Sequence, residues 1–82
     1  MYTREKYYKA MCKTVNSFPS EDAAYLKKVE DIKALAADYY KSFLYGLNYL
    51  EIEYGKADPE RLFKNDMKAF RRHCHCVLRC RK

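Results

Sequence analysis

The stretch Arg71-Arg72-His73-Cys74-His75-Cys76-Val77-Leu78-Arg79-Cys80-Arg81-Lys82 brings together three cysteines, two histidines and five cationic side chains. These residue types can ligate a soft metal, attack as nucleophiles or grip phosphate, and each chemistry makes its own demand on spacing. A structural zinc site takes four tetrahedral Cys or His ligands, ordinarily from a knuckle or turn plus a second segment. On a helix at 100° per residue, His73, Cys76 and Cys80 share one flank at i, i+3 and i+7, which supplies three ligands. The other candidates are Cys12, far away in sequence, and His75, which points elsewhere, and no C-x-x-C pair occurs. A zinc-stapled helical domain is therefore a third reading, and no other cofactor is expected. Cys74 falls with Phe70 and Val77, where a thiol behaves as a small hydrophobe.

A catalytic Cys–His pair needs an oriented base and an oxyanion site inside a pocket. Two glycines and two prolines leave little loop from which to build one. The carboxylate pairs Glu21/Asp22 and Glu30/Asp31 sit at helix starts and on solvated faces, so no enzyme is expected. Phosphate recognition is better served. Arg61, Lys64, Lys68, Arg71, Arg72, His75, Arg79 and Lys82 all fall on the face opposite Phe70, a basic stripe about 30 Å long. Rows of Lys and Arg supply most sequence-independent affinity for nucleic acid. Arginine predominates toward the C-terminal end, and its planar fork suits bidentate phosphate contacts.

For these side chains to share a face, residues 59–82 must wind as one helix, and the sequence supplies the signals. Asp58-Pro59-Glu60 offers an N-cap acceptor, a proline at the first helical position and an acid at the positive end of the dipole. Leu62, Phe63, Met67, Phe70, Cys74, Val77 and Leu78 form the opposing apolar face. Upstream, Thr3 can cap a first helix whose apolar positions are Tyr7, Tyr8, Met11, Cys12 and Val15. Ser17-Phe18-Pro19-Ser20 then breaks the pattern, with Ser20 as the expected cap of the next helix.

From Glu21 to Tyr54 one stripe runs through Tyr25, Val29, Ile32, Ala36, Tyr40, Phe43, Leu47, Leu50 and Tyr54, and Gly55 provides the stop. The spacing predicts one long middle helix over residues 21–54, about 50 Å if straight, with Gly46 the expected place for any bend. Leu50-Glu51-Ile52-Glu53-Tyr54 alternates as a strand would, but the helical stripe continues through it. The expectation is an all-α single domain over 1–82, a three-helix antiparallel bundle with helices one and three packed on a long middle helix.

Eighty-two residues bury little surface, so oligomerisation is an expected source of added stability. Tyr45, Tyr49 and Ile52 share the outer face of the middle helix and are the expected protein interface, in a homo-oligomer or against a partner. Seventeen Lys and Arg against eleven Asp and Glu give a net charge of +6. Residues 1–19 and 59–82 are basic while 20–58 are acidic, which favours packing of the outer helices on the middle one. Hydrophobic content of 49% excludes wholesale disorder. No apolar run reaches a membrane span and no apolar h-region follows the N-terminus, so a cytoplasmic, membrane-free protein with reduced cysteines is expected. The leading functional expectation is a non-enzymatic accessory or regulatory protein that binds nucleic acid or a nucleoprotein through the basic face, with Arg71, Arg72 and Arg79 central. The alternative is a protein-binding module or inhibitor, of the kind carried by phages and mobile elements, that occupies an acidic partner surface such as that of a nucleic-acid enzyme.

Overall fold

A computed structural model describes residues 1–81. Over those residues the chain is all-helical, with α1 (Arg4–Asn16), α2 (Ser20–Val29), α3 (Ile32–Tyr54) and α4 (Pro59–Arg79). The helix boundaries follow from capping chemistry. Thr3 Oγ1 accepts from the Lys6 amide at 3.1 Å and starts α1. Asp58 Oδ1 accepts from the Arg61 amide at 3.2 Å and, with Pro59, starts α4. Gly55 ends α3 in the left-handed region at φ 73°, where a residue without Cβ is unstrained.

Two expectations about the 21–54 segment are corrected. It is two helices, so the bundle has four rather than three. The break lies at Glu30-Asp31, where ψ values of 133° and 92° are extended, and Asp31 Oδ1 accepts from the Ala34 amide at 3.1 Å. The physical reason is a mismatch of buried faces. α2 buries Ala23 and Leu26, whereas α3 buries Ile32, Ala36 and Phe43. On one unbroken helix these two sets would lie roughly 130° apart at 100° per residue, so a single rod cannot turn both inward. Val29, assigned to the continuous stripe, is accordingly 47% exposed. At Gly46 α3 runs through unbroken. A Cβ at Gly46 would meet Leu62 Cδ1 at 3.6 Å, an ordinary contact, so this glycine sits under α4 with room for a methyl group. Ser20 also differs from expectation: it is the first helical residue, Pro19 precedes it in the cap position, and no side chain caps α2.

α1, α3 and α4 pack up-down-up. Tyr2 meets Phe43 and Tyr7 meets Tyr40, so α1 runs against α3; Gly46 meets Leu62 and Tyr39 meets Phe70, so α4 also runs against α3. The short α2 crosses the far end and lies against the C-terminal half of α4. Tyr7, Met11, Val15, Leu26, Phe70 and Cys74 are essentially fully buried at the centre. Around Tyr7 an aromatic cluster forms, with Phe63 at 5.0 Å and Phe43 at 5.5 Å between ring centroids. Offset and edge-on pairs of this kind add about 0.5–1.5 kcal/mol each beyond their burial.

The molecule measures 46 × 22 × 18 Å. Its length comes from α3 and the start of α4, which extend past the level at which Tyr2 touches Phe43 and Phe63. Beyond that level α1 no longer accompanies them, and the two-helix tip carries residues 44–62.

Candidate functional site

α4 positions the basic face because its other side is committed to the core. Phe70 and Cys74 are buried, and Leu62, Phe63, Met67, Val77 and Leu78 pack around them. Arg61, Lys64, Lys68, Arg71, Arg72, His75 and Arg79 are all exposed on the opposite side, so the structure brings these seven together on one face. Lys82 lies outside the described residues. Within the face, Arg61, Lys68, Arg72 and Arg79 recur at intervals of seven, four and seven residues and form a nearly straight line about 27 Å long. None of these four makes a salt bridge among the described residues.

The other members of the face have local partners. Lys64 Nζ lies 3.2 Å from Glu60 Oε1, one turn away, with both side chains about two-thirds exposed. Such a pair is worth about 0.3–0.5 kcal/mol and leaves the ammonium available to other anions. Arg71 lies with its guanidinium carbon 5.3 Å from the Phe18 ring centroid and donates to Ser17 Oγ at 3.2 Å. His75 meets the same ring edge-on at 5.0 Å. Phe18, in the α1–α2 turn, therefore buttresses one border of the basic face. That role was not legible in a sequence where Phe18 read only as part of a break. The N-terminal end of the face is diluted by Asp58 and Glu60, which line a shallow depression with Arg61, Lys64, Asn65 and Lys68. The cationic character is therefore strongest from Lys68 to Arg79.

Arg81 is cationic too, yet it belongs to a different surface. Its Nη2 lies 2.7 Å from Asp22 Oδ1, and its guanidinium carbon sits 5.2 Å from the Tyr25 ring centroid. With His73 Nε2 at 2.8 Å from Glu30 Oε1, this forms a polar seam between the C-terminal side of α4 and the ends of α2. Opposite charge is used locally here, at the Arg81–Asp22 pair.

The flank that carried the zinc reading is described by its contacts and exposure. His73 is engaged by Glu30, while Cys76 and Cys80 are exposed on the helix surface. Among the described residues no group of three or more His, Cys, Asp or Glu is placed to hold a metal ion. Cys74 is buried, and burial, reinforced by the Glu30 charge, pushes its thiol up to about 11, so it is neutral and inert at physiological pH. The four cysteines are free.

On α3, Tyr45, Tyr49 and Ile52 are 69%, 56% and 71% exposed, with Leu44 beside them at 46%. Neither α4 nor a bend covers them, because the tip has only two helices. No described helix is long and apolar enough to cross a membrane. No protein-family model matches the chain, and neither a curated protein nor a solved structure shows detectable similarity to it.

Proposed function

We propose that this chain is a non-enzymatic helical accessory protein that binds nucleic acid, free or within a nucleoprotein, through the outer face of α4. The observation that carries the reading is the straight line of Arg61, Lys68, Arg72 and Arg79, exposed and without an ion partner among the described residues. Cations held in a row on a rigid helix need no rearrangement to meet successive phosphates. Each one that neutralises a phosphate releases condensed counterions, which is a driving force independent of base sequence. The buttressed pair Arg71 and His75 widens the row on the Phe18 side. Arginine at positions 71, 72 and 79 adds planar, bidentate donors where acids are absent.

The test is fluorescence anisotropy with labelled single- and double-stranded oligonucleotides over a range of salt. Affinity should fall steeply as salt rises. The combined variant Lys68→Ala, Arg72→Ala, Arg79→Ala should flatten the log–log slope by about 2–3. These side chains are exposed, and surface changes of this kind stay within about 0.5 kcal/mol each, so helicity should be retained. Binding that ignores salt, or a slope unchanged in the triple variant, rules the proposal out. A pull-down from extract that survives both nuclease and high salt would instead favour an acidic protein surface as the ligand of the same face.

A further inference from the structure

The outer face of α3 has a shape as well as an exposed apolar surface. Lys41, Leu44, Tyr45 and Asn48 surround a shallow depression. Their spacing, i, i+3, i+4 and i+7, is that of the four-residue hole that receives a knob side chain when two helices interdigitate. A knob of suitable form stands on the same face one turn further on. Ile52 is 71% exposed, and it follows Tyr45 and Asn48 in the three-four alternation of a helix-pairing seam.

Hole and knob on one helix face make the face self-complementary. We infer that it is a homodimer interface, in which α3 of two copies pack antiparallel and each Ile52 enters the hole of the other chain. That insertion fixes the register. Placing the partner's Ile52 level with the space between Leu44 and Tyr45 puts the two-fold axis beside Asn48. Asn48 then faces the partner's Asn48, an amide pair able to donate and accept in both directions, and a single polar seam position of this kind selects one register over others. Tyr45 and Tyr49 flank the axis and supply the aromatic area.

The charges agree with that arrangement and oppose a parallel one. Lys41 borders the N-terminal end of the face, while Glu51 and Glu53 border its C-terminal end, and all three are exposed. Antiparallel pairing in this register carries each Lys41 to within about one helical turn of the partner's Glu53, a separation the long lysine side chain can span while its ammonium reaches water. Parallel pairing would stack like charges at both ends. The contact is one helix on one helix over about 20 Å, at the small end of specific interfaces, so the dimer should dissociate in the micromolar range. α4 meets α3 through Gly46 and Tyr39, roughly 120–140° around the helix from Ile52 at 100° per residue, so dimerisation leaves the basic face open.

Sedimentation equilibrium of the nucleic-acid-free protein in reducing buffer reads the outcome. Between about 1 µM and about 1 mM the mean mass should climb from 9.9 kDa toward twice that value. Ile52→Glu drives a charge into the hole and should weaken association on the order of 100-fold, with the helical circular dichroism unchanged because the side chain is exposed. Lys41→Glu should weaken association by a smaller factor, and adding Glu53→Lys should restore it. The variant Lys68→Ala, Arg72→Ala, Arg79→Ala should dimerise as the wild type does, which separates this inference from the nucleic-acid proposal. A one-chain mass at the highest concentration, or a dimer that Ile52→Glu leaves intact, overturns the interface. Failure of Glu53→Lys to rescue Lys41→Glu overturns the antiparallel register.

Discussion

Tyr7 shows how much a single buried hydroxyl can demand. The residue is fully buried, and its phenol donates to Asp66 Oδ2 at 2.6 Å across the α1–α4 contact. Burial, the hydrogen bond and the carboxylate charge all hold the phenol proton far above its ordinary range. Asp66 feels opposing influences: desolvation raises its carboxyl and the Tyr7 hydrogen bond lowers it, with desolvation the stronger. Asp66→Ala should therefore cost about 1–3 kcal/mol, because the Tyr7 hydroxyl would be left buried and unpaired. Tyr7→Phe should cost less, since Asp66 is only partly buried and can turn to water. The sign of the pH dependence follows from the net upward shift. The stability of the native protein relative to Asp66→Asn should be greatest below the ordinary carboxylate value of 3.8 and should decline as pH rises through the raised value, then level off. Urea titrations of both proteins between about pH 3 and pH 7 would show the trend, and a difference that grows with pH would contradict it.

At the scale of the element, the two glycines have opposite roles. Gly46 lies inside a helix with room for a methyl group beside Leu62, so Gly46→Ala should stabilise by about 0.5–1 kcal/mol through helix propensity and reduced freedom of the unfolded chain. Gly55 sits at φ 73° with open space around it, so a Cβ there meets no neighbour but strains its own backbone. Gly55→Ala should destabilise by about 1 kcal/mol. The break between α2 and α3 depends on a cap rather than on a glycine or a proline. Asp31→Ala removes the acceptor for the Ala34 amide and should cost about 1 kcal/mol. Thermal and chemical denaturation of these three variants would check both sign and size. An Asp31→Ala protein as stable as the native one would mean that packing of Leu26 and Ile32 alone enforces the break.

At the scale of the molecule, the elongated shape separates two surfaces. The end at which α1 and α2 join α3 and α4 holds the aromatic core and the α2–α4 polar seam, and the two-helix tip holds the exposed tyrosines. The tip has fewer buried contacts, so its amides should open more readily than those around Tyr7, Met11 and Phe70. Hydrogen exchange at low protein concentration should show residues 44–58 exchanging fastest within the helical body, and raising the concentration should slow exchange at 41–53 if α3 is the dimer contact. Oligonucleotide should protect the face of α4 and leave the tip unchanged. Protection of both regions by either treatment would mean the surfaces are coupled.

Much of this was fixed by the order of residues alone. Helix caps at Thr3 and Asp58, the stop at Gly55, the alternation of apolar and cationic positions in 59–81 and the membership of Cys74 in the core are all local or periodic properties, set by hydrogen-bonding groups and by 100° per residue. The exposed basic row follows from the same periodicity, because a helix that buries Phe70 must turn Arg61, Lys68, Arg72 and Arg79 outward. The division of residues 21–54 was not legible in the same way. Its apolar residues are dense enough to support more than one stripe, and only the placement of α1 and α4 determines that Ala23 and Leu26, rather than Tyr25 and Val29, face inward. The same holds for Phe18 beneath Arg71 and His75, for Asp22 beside Arg81, for Glu30 beside His73 and for the uncovered face of α3. Each depends on which elements lie side by side and where the third helix of the bundle begins, and no spacing along a single chain carries that information.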